Sequence, residues 1–263
     1  MVLISPQIEK DDSLPYGGLL TVSVPQESGT QTFSIPLQPT ENILTHWEML
    51  PQITIWPSHP PVDGYICNSV SNDGPSPTEV LSQYFGKPVY LVYKGPQPRV
   101  IDATIRYPEL KATAKFQDMY PLLILSEEST VAIDEVLRDH VGTQGIHARW
   151  AGDNVSIERF RPNIILKGGG PFAEDAWQEI SIGTEDSPLI SLVSRCTRCL
   201  LPNVSPETGE RDAAVPYKVI MKFRTGLDPK SKLKPCVGCN AVPAGHGCVQ
   251  VGDWVYVKKL VET

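Results

Sequence analysis

The sequence predicts a β-rich α+β fold, with a β-barrel-like core and a few helices in place of a doubly wound sheet. Three observations carry that prediction. Candidate strands outnumber candidate helices, the two do not alternate regularly, and the 25 prolines are spread along the chain as loop markers.

The first residues, Met1-Val2-Leu3-Ile4-Ser5, form a short apolar run without a basic flank, followed by acidic Glu9, Asp11 and Asp12. The run reads as a buried strand, and as neither a signal peptide nor an Arg-rich transit peptide. Further strands are predicted at residues 19–24, 52–56, 89–93, 122–125, 163–166, 219–223 and 254–257. Each is short, rich in β-branched or aromatic residues, and bounded by Gly or Pro.

Two helices have start signals. In Ser76-Pro77-Thr78-Glu79 the serine can cap, the proline suits the first helical position and Glu79 closes a capping box. Val80, Leu81, Tyr84 and Phe85 then make an apolar face, which Gly86 and Pro88 end. The second helix is predicted from Ser126, with Glu127 and Glu128 at the positive end of its dipole. Ile133, Val136, Leu137 and His140 share one side of it, so His140 reads as a helix-edge or C-terminal-turn residue. The sequence turns polar over residues 105–120, and a boundary there divides the chain into 1–115 and 116–263.

Composition excludes several classes. No apolar run approaches the ~20 residues that span a bilayer, so no membrane segment is predicted. A net charge of −7 without a basic tail argues against a nucleic-acid partner. Residues 222–234 are a local exception: Lys222, Arg224, Lys230, Lys232 and Lys234 face one acid, Asp228. They read as a solvated loop before a docking patch for an acidic partner. The sequons at Asn154 and Asn203 carry little weight without a secretory signal, and a reducing compartment is predicted.

Common catalytic signatures are missing: there is no G-x-S-x-G, Walker loop, H-E-x-x-H or G-x-G-x-x-G, and Gly168-Gly169-Gly170-Pro171 reads as a turn. Six cysteines are too few for a disulfide scaffold. Four of them make two C-x-x-C pairs, Cys196/Cys199 and Cys236/Cys239, separated by 36 residues. Two such knuckles suit a four-thiolate zinc staple, although the gap is wide and His246 and Cys248 crowd the second pair. Buried thiols in a reduced protein are the simpler alternative.

The wider context is more specific. Phe160-Arg161-Pro162-Asn163, Glu174-Asp175-Ala176-Trp177, Cys196-Thr197-Arg198-Cys199, Pro206-Glu207-Thr208-Gly209 and Val251-Gly252-Asp253-Trp254-Val255 follow one another at suitable gaps. Together the motifs F-R-P-N, E-D-x-W, C-x-R-C, P-x-T-G and V-G-D-x-V resemble the MOSC domain of molybdenum cofactor sulfurases and of the mitochondrial amidoxime-reducing component. Residues 76–88, and 121–137 with Leu-Ile-Leu-Ser-Glu, resemble the N-terminal barrel module that precedes it in the family.

The resemblance implies a MOSC-type β-barrel over 116–263, a partial N-terminal β-barrel module over 1–115, and a molybdopterin-type cofactor. Cys199 takes the position of the molybdenum ligand, where a soft thiolate suits the metal, and Cys196 becomes a neighbouring thiol. Arg161 and Asn163 take cofactor-binding positions, the guanidinium toward a phosphate and the amide toward the pterin. Arg161 has an equally weighted alternative, pairing with Asp175 or Glu174 to staple a loop. Trp177 and Asp175 are implied to pack and to orient. No role carries over to Cys236 or Cys239.

The family's Lys-Ser-containing leading segment has no counterpart here, which implies a shortened product or a site lacking some contacts. The implied activity is reduction of N-hydroxylated small molecules, with electrons from a cytochrome b5-type donor and its flavin reductase. Two alternatives stand beside it. One is a sulfur carrier of the sulfurase type, with no pyridoxal-phosphate-binding half in this chain; the other is a non-catalytic zinc-stapled binding domain. The implied location is cytoplasmic or mitochondrial-associated and not secreted.

Overall fold

The computed structural model describes residues 1–27, 29–57, 59–71 and 74–262. The chain divides into two compact units: Met1–Arg99 with Glu207–Gly209, and Val100–Pro206 with Glu210–Thr263.

In the first unit, strands Ser5–Lys10, Gly18–Gln26 and Gly29–Pro36 form one antiparallel sheet. Met49–Ile53, Val62–Ile66 and Val92–Lys94 form a second. Strand alternation puts Val22 opposite Phe33 and Leu20 opposite Ile35, and this face packs with Trp47, Cys67, Val80 and Leu81 as a core. Gly18 is obligatory: at φ +121° a Cβ would lie 2.1 Å from the carbonyl oxygen of Glu9.

Several expectations need correction here. Met1–Ile4 make a turn, the strand begins at Ser5, and Ser5–Lys10 is exposed along its length as a sheet edge. The predicted 52–56 and 89–93 strands are displaced to Met49–Ile53 and Val92–Lys94, the first containing Gln52 at φ 64° and a register shift. Helix Pro77–Phe85 forms and ends on Gly86 at φ 63°, but Ser76 makes no side-chain capping bond.

The second unit is built on a six-stranded sheet that curls as a half-barrel. Its spatial order is Ile164–Leu166, Leu122–Ser126, Cys236–Pro243, Ile190–Thr197, Trp177–Ile182, Val255–Leu260. Only the first neighbouring pair is parallel. Both faces are covered. On one, Leu125 and Val237 pack with Trp150, Phe160, Val219, Ile220 and the Ile133 and Leu137 side of helix Glu128–Arg138. On the other, Ile124, Leu166, Ile180, Leu192, Cys239 and Ala241 form a separate cluster. Successive residues such as Ile124 and Leu125 serve opposite faces, as a pleated strand requires.

The 219–223 segment, predicted as a strand, is the end of a helix and the turn that follows it. Tyr217–Ile220 forms a short helix with Ile220 N–H donating to the Pro216 carbonyl, and Val219 and Ile220 are fully buried. Pro216 favours a helix start, and burial outweighs the β preference of the branched side chains. The second predicted helix starts at Glu128, because Ser126 remains the last residue of its strand. His140 lies just beyond that helix, with Nδ1 2.8 Å from the Val136 carbonyl oxygen. Among the described residues no helix is long and apolar enough to cross a membrane.

Candidate active site

Strand Ile190–Thr197 delivers the first cysteine pair. Cys196 is half-buried near its end, and Cys199 is exposed just beyond it, with the Leu201 N–H donating to Sγ at 3.4 Å. Arg198 between them is buried. Its N–H donates to the Pro235 carbonyl, one guanidinium nitrogen donates to the Phe160 carbonyl at 2.8 Å, and another reaches Cys196 Sγ at 3.1 Å. The guanidinium also stands 5.5 Å from the Phe160 ring. Arg159 adds a bond to the Pro202 carbonyl at 3.2 Å. The F-R-P-N and C-x-R-C loops are thus fastened together on either side of the candidate ligands.

Arg161 occupies the left-handed region at φ 58°, a conformation that a non-glycine residue holds only when its surroundings impose it. Its pairing with Asp175 or Glu174 does not occur. Arg161 reaches Asp118 at 3.5 Å with side chains 54% and 71% exposed, and so open a pair contributes about 0–1 kcal/mol. Asn163 clamps the sheet: its N–H donates to Leu123 O, and its Oδ1 accepts the Leu123 N–H, both at 2.8 Å. That bond does not use the Nδ2 donor. No contact joins Arg161 or Asn163 to Cys199 directly; Arg198 and Phe160 bridge the loops.

The acids of E-D-x-W turn inward. Glu174 is fully buried, with Oε2 accepting from the Ser126 amide at 3.2 Å and from the Ser126 hydroxyl, while Oε1 is without a hydrogen bond. Burial pushes its pKa up, against the lowering effect of the Ser126 hydroxyl. Asp175 takes two guanidiniums, Arg224 at 2.6 Å and Arg195 at 3.1 Å. Arg224 also donates to the Cys236 carbonyl at 2.9 Å and lies 3.9 Å from the Phe172 ring. It therefore belongs to the interior and not to the basic surface stretch. Sequence reasoning missed this network. Trp177 packs beside the second sheet-face cluster.

Cys236 and Cys239 are fully buried in strand Cys236–Pro243. Burial raises the Cys236 thiol to about 11 and Cys239 well above its ordinary value, so both stay protonated. Cys239 donates to the Glu174 carbonyl at 3.4 Å. Among the described residues, no group of three or more His, Cys, Asp or Glu side chains is placed to hold a metal ion by itself. The zinc staple is left without a ligand set.

The MOSC domain matches residues 111–256, more than half of the chain and the stretch that carries these loops. The chain belongs to the MOSC-domain family. It is 32% identical to mitochondrial amidoxime-reducing component 1 of Mus musculus over 151 residues, 56% of this chain and 39% of that protein. The human component 1 is 31% identical over 145 residues, 54% of this chain and 38% of its own length. The Danio rerio component 1 is 28% identical over 173 residues, 65% of this chain and 47% of the relative. The chain thus spans less than half the length of these curated relatives. Within the MOSC match, V-G-D-x-V closes the sheet edge: Gly252 has φ 100°, Asp253 accepts from the Gln250 amide, and Trp254 O accepts from the Gly183 amide.

Proposed function

We propose that this MOSC chain holds a molybdopterin-type cofactor through Cys199, Arg161 and Asn163, and acts as an oxidoreductase toward N-hydroxylated small molecules. The observation that carries the proposal is the exposed Cys199 thiol on a loop that buried Arg198 fastens to the loop of Arg161. The residues fit the group. A single protein thiolate suffices where the remaining ligands arrive with the cofactor, and a thiolate suits molybdenum. The exposed, weakly paired Arg161 guanidinium suits an anionic phosphate, and Asn163 Nδ2 suits a pterin acceptor. When bound, the group would supply the redox centre. The chain's own part is to present one thiol, neutralise one anion and fix both loops.

The electron source in this reading is a cytochrome b5-type donor with its flavin reductase. The relatives named mitochondrial support a mitochondrial association. With Arg224 buried and Lys222 bonded to Gln144, the exposed positive set of the basic stretch is Lys230, Lys232 and Lys234. The exposed thiol equally suits a sulfur carrier, and metal analysis separates the two. Protein made in a host that synthesises the cofactor should contain molybdenum, lost in Cys199→Ala and largely kept in Cys196→Ala. Molybdenum unchanged in Cys199→Ala, or its absence with a persulfide on Cys199, would refute the reading.

A further inference from the structure

The six cysteines differ in what can reach them. Cys67, Cys236 and Cys239 are buried. Burial pushes the Cys67 thiol up to about 12, Cys236 to about 11 and Cys239 well above its ordinary value, so these three stay protonated and shielded. Cys199 and Cys248 are exposed, and Cys196 is half-buried near the end of strand Ile190–Thr197. A small solute therefore meets three thiols, and the cofactor reading does not use Cys196.

What separates Cys196 from the other two is Arg198. One guanidinium nitrogen donates to Cys196 Sγ at 3.1 Å. Arg198 is only 8% exposed, and its buried Nε–H has no hydrogen-bond acceptor. Its second side-chain bond goes to the neutral Phe160 carbonyl, beside the Phe160 ring. Among the described residues, the ion pairs are made by other cations and no carboxylate neutralises this one. A cation taken out of water ordinarily keeps a counter-charge, because its lost hydration is otherwise uncompensated. Of the two side-chain partners of Arg198, the Cys196 sulfur is the one that can carry negative charge. Among the described residues no guanidinium is bonded to Cys199 or Cys248; Cys199 Sγ accepts the Leu201 amide at 3.4 Å.

This setting suits attack on a peroxide. Negative charge moves through the sulfur to the departing oxygen, and a fixed donor already aimed at that place lowers the barrier. An oxygen added to Sγ also brings a further acceptor to a guanidinium that has a donor to spare. Half-burial admits a molecule as small as hydrogen peroxide while hindering bulkier reagents.

We propose that Cys196, through its contact with Arg198, is an oxidation site for hydrogen peroxide and small hydroperoxides, and becomes a sulfenic acid. The S–O bond forms as the O–O bond breaks. Sulfur gives up two electrons to the peroxide, and the departing oxygen leaves with the thiol proton as water, or as an alcohol from a hydroperoxide. The site stands apart from the cofactor reading, since neither the step nor its test needs a metal.

The test treats the reduced full chain with hydrogen peroxide in the presence of excess dimedone, a trap for sulfenic acids. Peptide mass spectrometry then follows the label at each cysteine with time. Cys196 should be labelled about tenfold or more faster than Cys199 and Cys248 in the same sample. Arg198→Met should bring the Cys196 rate down about tenfold, while Cys248, the exposed internal standard, is labelled as before. Cys199 or Cys248 labelled as fast as Cys196 in the unaltered chain would overturn the proposal. So would an unchanged Cys196 rate in folded Arg198→Met. If the methionine variant fails to fold, the ratio of Cys196 to Cys248 in the unaltered chain decides alone.

Discussion

Replacing Arg224 with methionine tests the interior network most directly. The guanidinium is 10% exposed and its partner Asp175 14% exposed, so the pair is largely out of water. Removing one member of such a pair costs about 3–5 kcal/mol, most of it the charge left behind. Asp175 keeps Arg195 at 3.1 Å, which moves the expected loss to the lower end. The lost contact with the Phe172 ring, at 3.9 Å, and the bond to the Cys236 carbonyl push it back up, while methionine retains much of the packing volume. We expect about 3 kcal/mol for Arg224→Met, and a melting temperature lower by roughly 6–12 °C for a unit of this size. Arg224→Lys keeps a charge but not the fork, and should lose about half as much. Urea titration followed by intrinsic fluorescence reads both variants. A loss below about 1 kcal/mol for methionine, or a lysine variant as damaged as methionine, would refute the assignment of Arg224 to the interior.

Other outcomes follow from the same geometry. Burial works against ionisation of Asp212, but bonds from the Val215 and Ala214 amides, the Trp150 indole and Arg149 bring its pKa down to about 2. Its folded value lies below the ordinary 3.8, so the stability it contributes is present above that pH and lost as pH falls through about 2. Acid titration of unfolding free energy should show this slope, and Asp212→Asn should flatten it; an equal slope in the variant would remove Asp212 from the account. Arg161→Ala should lower molybdenum occupancy with the melting temperature nearly unchanged, since the Asp118 pair is weak, and lysine should rescue in part; equal occupancy in both variants would argue against a phosphate role. Gly238→Ala should destabilise, because at φ 79° its Cβ would stand 2.9 Å from the Ile124 carbonyl oxygen; a melting temperature equal to that of the unaltered chain would contradict this. Reversing Lys230, Lys232 and Lys234 to Glu should slow electron delivery from an acidic protein donor in a salt-dependent way and spare a small chemical reductant. An unchanged donor-driven rate would return the stretch to a solvated loop.

The β-rich class was legible because most candidate runs combine branched residues with flanking Gly or Pro. Strand Cys236–Pro243 was hidden for the opposite reason. Cys236, Val237, Gly238 and Cys239 are all buried, so no polar alternation marks the strand, and its cysteines draw attention as a motif. The loop motifs carrying Cys199, Arg161 and Asn163 were readable as strings. Their ion pairs were not, because charge pairing is chosen by tertiary neighbours: Arg161 goes to Asp118, and Asp175 goes to Arg224, 49 residues away. A cavity of about 360 Å³ in the second unit was equally invisible, since its lining comes from five separated stretches of chain that no spacing rule connects.

The anchoring of Arg198 sets a leash length. Its backbone is pinned by Pro235 and its side chain by Phe160, so the Cα of Cys199 sits one peptide step, about 3.8 Å, from a fixed point. The thiol can turn in solvent yet cannot wander from its station. A flexible cysteine would have to surrender about 1–2 kcal/mol of backbone freedom per residue before gripping anything, and here folding has already met that demand. Lengthening the leash by one residue between Arg198 and Cys199 would leave every anchor in place and still forfeit that advantage.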